Sequence, residues 1–212
     1  MKKTLLINRR ILLFGIFVLS TFPNIGFSDQ AILDNMMRPQ VLGSSDAPIK
    51  IKEYFSLTCG HCANFHKKTL PKLKKKYIDK GQVQLEFIDY PLDRLAVVAA
   101  ALARSLPSKE GYVEAIKILL NKQKQWAYSK KPLDELLSIA KLFGVSAKKF
   151  DEIIQNIPLM QEIINVMEKE SKSFNIESTP TFIINNKHKI SGALSFKDFE
   201  KELLTLIKAK NS

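Results

Sequence analysis

The stretch IKIKEYFSLTCGHC, residues 49–62, alternates apolar and polar positions up to Leu57 and then meets two cysteines three residues apart. Ile49, Ile51, Glu53, Phe55 and Leu57 share one face, with Lys50, Lys52 and Tyr54 on the other, the period of two that marks a strand. Thr58 stands where a helix cap or near-cap is expected, so Cys59 and Cys62 fall on the first turn of the following helix. The fold turns on what the pair is for: metal clip, structural disulfide or redox centre.

Reading outward, ANFHKKTLPKLKKKYI (63–78) continues the helix to about Ile78, with a kink expected at Pro71. Gly81 breaks the chain, and QVQLEFIDYPL (82–92) is a second strand, which makes a βαβ unit with a parallel pair. From about Asp93 to Asn175 the pattern changes. LAVVAAALARSL, YVEAIKILLNKQKQWA, LDELLSIAKLFG, SAKKFDEIIQ and PLMQEIINVMEKESKSF carry apolar residues at helical spacing, with Ser146 as an N-cap and no fixed repeat period. Beyond it, TPTFIINN and KHKISGALS read as strands joined by a tight turn at Asn185-Asn186, and FKDFEKELLTLIKAK as a closing amphipathic helix. The order is βαβ, a helical insertion, then ββα.

At the N-terminus, MKKTLLINRR is basic without an acid, ILLFGIFVLSTF is apolar, and small residues Gly26 and Ser28 follow. This predicts a secretory signal peptide over 1–28, cut between Ser28 and Asp29; the apolar run falls short of the roughly 20 residues a membrane anchor needs. Removing it takes away four basic residues and no acid, lowering the formal net charge from +12 to +8. The remaining lysines are spread along the chain among acids. The dense run HKKTLPKLKKKY reads as a solvated helix face, and no nucleic-acid motif accompanies it.

These are the only cysteines in 212 residues. Scaffold disulfides of exported chains usually come as several separated pairs, and closing so short a loop removes little chain entropy. Chemistry is the better motive. A thiolate attacks a disulfide, and the open N–H groups and dipole of a helix start favour negative charge, so Cys59 is the expected nucleophile and Cys62 a shielded resolving partner. His61 adds a donor and partial positive charge beside the sulfur. On this reading it carries most of the bias toward oxidation. Glu53 shares its face with apolar residues, and a carboxylate so placed needs a task or a partner. His66 and His188 read as ordinary surface or helix residues, and Trp126 as core.

EYFSLTCGHC (53–62), with ESTPTFIINN (177–186) far downstream, resembles the thioredoxin superfamily, and the large helical insertion makes the chain most similar to the DsbA-like periplasmic thiol:disulfide oxidoreductases. The resemblance covers about Ile49 to Ile207. It implies an α/β thioredoxin-like fold: an N-terminal segment 29–48, a thioredoxin-like domain from 49–92 and 176–212, and an all-helical insertion at 93–175. It implies Cys59 as the attacking cysteine, Cys62 as the resolving one, and Gly60-His61 as the dipeptide that tunes the potential. Thr179-Pro180 matches a loop beside the active site with a cis proline and a contact to substrate backbone, and Glu53 matches an acid that accepts a proton beneath the resolving cysteine. DsbA-like oxidases often have proline where Gly60 stands, whereas C-G-H-C resembles eukaryotic protein disulfide isomerases. The implied activity is oxidation of reduced cysteine-containing secreted proteins in the periplasm, by a monomer reoxidised by a membrane-bound DsbB-like partner, with no cofactor or metal and no nucleic acid.

Two alternatives accompany this. An isomerase or reductase would use the same chemistry, but periplasmic isomerases of the superfamily carry an N-terminal dimerisation module, for which the 20 residues of 29–48 are too few. A metal-binding module would use Cys59, Cys62 and His66, C-x2-C-x3-H, as soft ligands for copper or zinc.

Overall fold

The computed structural model describes residues 27–210. The expected leader, 1–28, lies outside them save for its last two residues, which open helix α1 (Phe27–Met36). Among the described residues no helix is long and apolar enough to cross a membrane.

Strand β2 (Ile49–Phe55) lies at the centre of a five-stranded sheet. It pairs in parallel with β3 (Val83–Asp89) on one side and antiparallel with β4 (Thr181–Ile184) on the other. β5 (His188–Ser191) forms a hairpin with β4 through Asn185 and Asn186, both at positive φ, the conformation a primed turn requires. β1 (Gln40–Leu42) adds antiparallel to the outer edge of β3. Residues 29–48 are expected from the sequence only as an N-terminal segment. In fact they contribute both α1 and this edge strand.

The helix after the cysteines is also more divided than expected. α2 (Gly60–Lys68) stops at Thr69, α3 (Leu70–Leu73) carries Pro71 in its first turn, and a π-helical turn spans Lys74–Ile78. Pro71 therefore starts a short helix, where its missing N–H costs nothing, and does not kink a long one. Between β3 and β4 run α4 (Arg94–Arg104), α5 (Lys109–Asn121), α6 (Gln123–Trp126), α7 (Pro132–Lys141), α8 (Ala147–Ile154) and α9 (Ile157–Phe174), and α10 (Phe196–Lys210) closes the chain. Asp93, Ser108, Ser146 and Asn156 each cap a helix by accepting an N–H bond on the side chain. Trp126 is wholly buried, its indole N–H donating to the Leu119 carbonyl at 2.8 Å.

The chain is thus a thioredoxin-like α/β fold, βαβ and ββα, interrupted by helices. Its sheet is covered on both faces. One carries the main core under α2 and α10, where Phe65, Phe182 and Phe199 stack with ring centroids 4.6 to 5.8 Å apart. The other carries a small core of Tyr54, Ile88, Ile176 and Ile183. Tyr54, placed by alternation on the polar face, is buried there beside Phe174, its hydroxyl donating to Glu170 at 2.6 Å. On that face Lys50 is exposed and Lys52 half-buried, so the strand's cover closes only toward its C-terminal end.

Candidate active site

The strand-to-helix turn at 56–60 positions the two sulfurs. Cys59 itself is the N-cap residue of α2, in extended conformation. Thr58, read as a cap or near-cap, directly precedes it and turns its hydroxyl to Asp93 at 2.7 Å and to Ser56 at 3.1 Å. One turn into the helix Cys62 is fully buried, while Cys59 is partly exposed, and both are free thiols. Across the sheet end, the Thr179-Pro180 peptide bond is cis and brings the Thr179 carbonyl to 3.3 Å from the Cys59 sulfur, which donates to it.

These surroundings separate the two thiols. The Cys62 thiol donating to the Cys59 sulfur is the largest influence on Cys59, opposed by burial and reinforced by the Thr179 hydroxyl and the N–H groups of Cys62 and His61; together they lower its pKa to about 5. Burial pushes Cys62 far up, and the neighbouring Cys59 and Glu53 charges push the same way. The Thr179 hydroxyl is buried with no other hydrogen-bond partner among the described residues, which leaves it available to a charged Cys59 sulfur. The exposed His61 enters this balance through its main-chain N–H, the smallest of the named influences. Thr179→Val is therefore expected to raise the Cys59 pKa by about one to two units, the worth of a hydrogen bond to a charged group, and His61→Ala by less. Thiolate absorbance of both reduced variants checks this; a larger effect at His61 would return the weight to the imidazole.

Beneath the pair, Glu53 is wholly buried on the central strand, in register with Phe87 on one neighbour and Phe182 on the other. His66 Nε2 lies 2.9 Å from Glu53 Oε1, and the other carboxylate oxygen has no partner among the described residues. The His66 side chain is 5 % exposed and sits between the rings of Phe55, Phe65 and Phe87. Of the two readings of His66, surface or helix residue, the helix placement holds and the surface one is corrected: it follows Cys62 by four positions, so both face the core, and it is the partner Glu53 requires. The same contact takes it away from the sulfurs, and among the described residues no group of three or more His, Cys, Asp and Glu side chains could hold a metal ion. His188 is exposed.

A further residue escaped the sequence reading. Gln123, from the helical insertion and 4 % exposed, donates through its side-chain amide to the carbonyls of Leu57 at 2.7 Å and Cys59 at 3.0 Å. It satisfies two main-chain acceptors where strand turns into helix, and so fixes the approach to Cys59. Nothing in QKQWA marks it.

The family described as Thioredoxin matches residues 36–204. A curated protein of Rickettsia conorii, named for protein-disulfide oxidoreductase activity, is 32% identical over 145 residues, 68% of this chain; the match spans about half, 52%, of that relative's length. The crystal structure of Wolbachia pipientis alpha-DsbA1 superposes with a TM-score of 0.74 at 32% identity, covering 80% of this chain and 91% of that one. Chlamydia trachomatis DsbA, 19% identical with a TM-score of 0.70 over 82% of this chain and 93% of that one, shares the fold.

Proposed function

The chain belongs to the thioredoxin family, on its DsbA-like branch, and from that premise we propose that it is an exported thiol:disulfide oxidoreductase that oxidises secreted proteins in the periplasm. The observation that carries the oxidase reading is the asymmetry of the thiols: a partly exposed Cys59 with its pKa lowered to about 5, over a buried Cys62 whose own is raised. A substrate thiolate attacks the Cys59 sulfur of the oxidised pair, and Cys62 leaves and takes up a proton. A second substrate thiolate then attacks the substrate sulfur of the mixed disulfide and expels Cys59 as a thiolate. Two electrons pass to the pair; one proton ends on Cys62 and the other in solvent. Glu53, with His66 behind it, carries the proton to and from Cys62, the cis Thr179-Pro180 loop aligns the substrate backbone, and a membrane-bound DsbB-like partner restores the disulfide. The protein acts as a monomer.

Stabilising the Cys59 thiolate stabilises the reduced protein and makes the disulfide oxidising. Equilibration with glutathione is expected to give a potential well above the roughly −270 mV of thioredoxin; a value at or below it would mean a reductase. Stability follows the same cycle. The Cys59 pKa is about 5 folded and about 8.5 in an unfolded chain, so the thiolate's contribution is full above the unfolded value and lost as pH falls through 5. The reduced form is therefore expected to melt above the oxidised one at pH 8, the gap narrowing toward pH 4. A gap that does not change with pH would contradict the thiolate account.

A further inference from the structure

A cleft of about 690 Å³ opens immediately beside the redox turn, between α2 and the helical insertion. Gly60, the residue that follows Cys59 in the chain, is part of its lining, which sets the cleft next to the redox turn. Gly60 has no positive φ to require a glycine; a Cβ there would meet only the Gln123 side-chain oxygen, at 3.9 Å. The missing side chain leaves the space between the Gly60 backbone and that oxygen unfilled.

The walls are cationic. Lys67 and Lys68 come from α2 and Lys124 from α6, with Asn64 and Asn121 between them, and no acidic residue lines the cleft. Among the described residues none of these three lysines is in an ion pair, whereas Lys74, Lys76, Lys117 and Lys149 each have a carboxylate partner. Tyr128 stands on the rim with 71 % of its surface exposed, a large amphipathic side chain of the kind that anchors protein interfaces. Three unneutralised ammonium groups, three carboxamides and an exposed phenol ask for an occupant with carboxylates and a main chain to hydrogen-bond.

The geometry points to a docking surface for an acidic extended segment flanking the reactive cysteine of a protein substrate. Lys67 and Lys68 are exposed on α2, as the solvated-face reading expects, and the inference adds a use for that face; it also gives the insertion a task, since it supplies one wall. The inference rests on the thiol:disulfide activity proposed above.

The test sets the oxidised protein against two reduced peptides, alike except that one has Asp and Glu around its cysteine and the other Lys, with the uncharged dithiol dithiothreitol as reference. At low ionic strength the acidic peptide is expected to react about tenfold faster than the basic one, with the ratio shrinking as salt is added. The Lys67→Glu/Lys124→Glu variant is expected to reverse the preference while its rate with dithiothreitol stays the same. An equal change of charge outside the cleft, Lys141→Glu/Lys148→Glu, is expected to leave most of the preference in place. Reaction with dithiothreitol but no preference for the acidic peptide would overturn the cleft alone, as would loss of the preference in the Lys141/Lys148 control to the same degree. A wild-type protein inert toward dithiothreitol would overturn the activity, and this inference with it.

Discussion

Cys62→Ala is expected to abolish turnover and to leave the protein covalently joined to other proteins. The thiolate at Cys59 is untouched in its main supports other than Cys62: the Thr179 hydroxyl and the helix N–H groups remain. It can still attack a disulfide and form a mixed disulfide, but the internal thiol that would displace the bound sulfur is gone. Non-reducing electrophoresis of the variant recovered from cells is expected to show a ladder of adducts that collapses on reduction. Removal of the Cys62 thiol also takes away the largest influence lowering the Cys59 pKa, so the variant's alkylation profile should move to higher pH. Cys59→Ala should show neither adducts nor alkylation. Adducts formed by Cys59→Ala, and not by Cys62→Ala, would exchange the two roles.

The second large effect is on folding. Asp89, at the end of β3, and Arg104, at the end of α4, form an ion pair with both side chains 5 % exposed. Tyr112 donates to the same carboxylate at 3.2 Å. Arg104 also donates to the carbonyls of Met36 and Arg38, at 3.2 and 3.3 Å, and so ties the end of α1 to the insertion. Arg104→Met leaves Asp89 buried with one neutral donor and frees two carbonyls. Breaking a buried pair from one side costs about 3–5 kcal/mol, which for a chain of this size lowers the melting temperature by roughly 10 °C. The double variant Arg104→Met/Asp89→Leu removes the stranded charge and is expected to recover much of the loss, whereas a pair that mattered only by its attraction would show no recovery.

What could be read from the chain alone follows from how local each signal is. Cys59, Cys62 and their helix start lie within a few residues of one another, the βαβ order is a matter of hydrophobic period, and Glu53 betrays itself by its position among apolar neighbours. The Asn185-Asn186 turn needs only those two residues. Other features are decided by contacts across the fold. β1 is three residues long, too short for alternation to register, and exists because β3 has an edge to cover. The burial of Tyr54 depends on a helix more than a hundred residues away. His66 and Gln123 look like ordinary polar helix positions, and their roles come from what the sheet and the turn at Leu57–Cys59 present to them. The weight given to the His61 ring assumed it would lie against the sulfur; a helix start can supply the charge from its main chain instead.

The turn that carries Cys59 is held at two points by a segment foreign to the basic fold. Asp93 takes the Thr58 hydroxyl with one oxygen and caps α4 with the other, and Gln123 holds the carbonyls on either side of Thr58. The insertion is therefore no detachable ornament. Any attempt to trim the protein to a minimal catalyst by joining β3 directly to β4 would take the scaffold from under its nucleophile. Grafting C-G-H-C onto a smaller relative would transplant the cysteines without the brace that aims them.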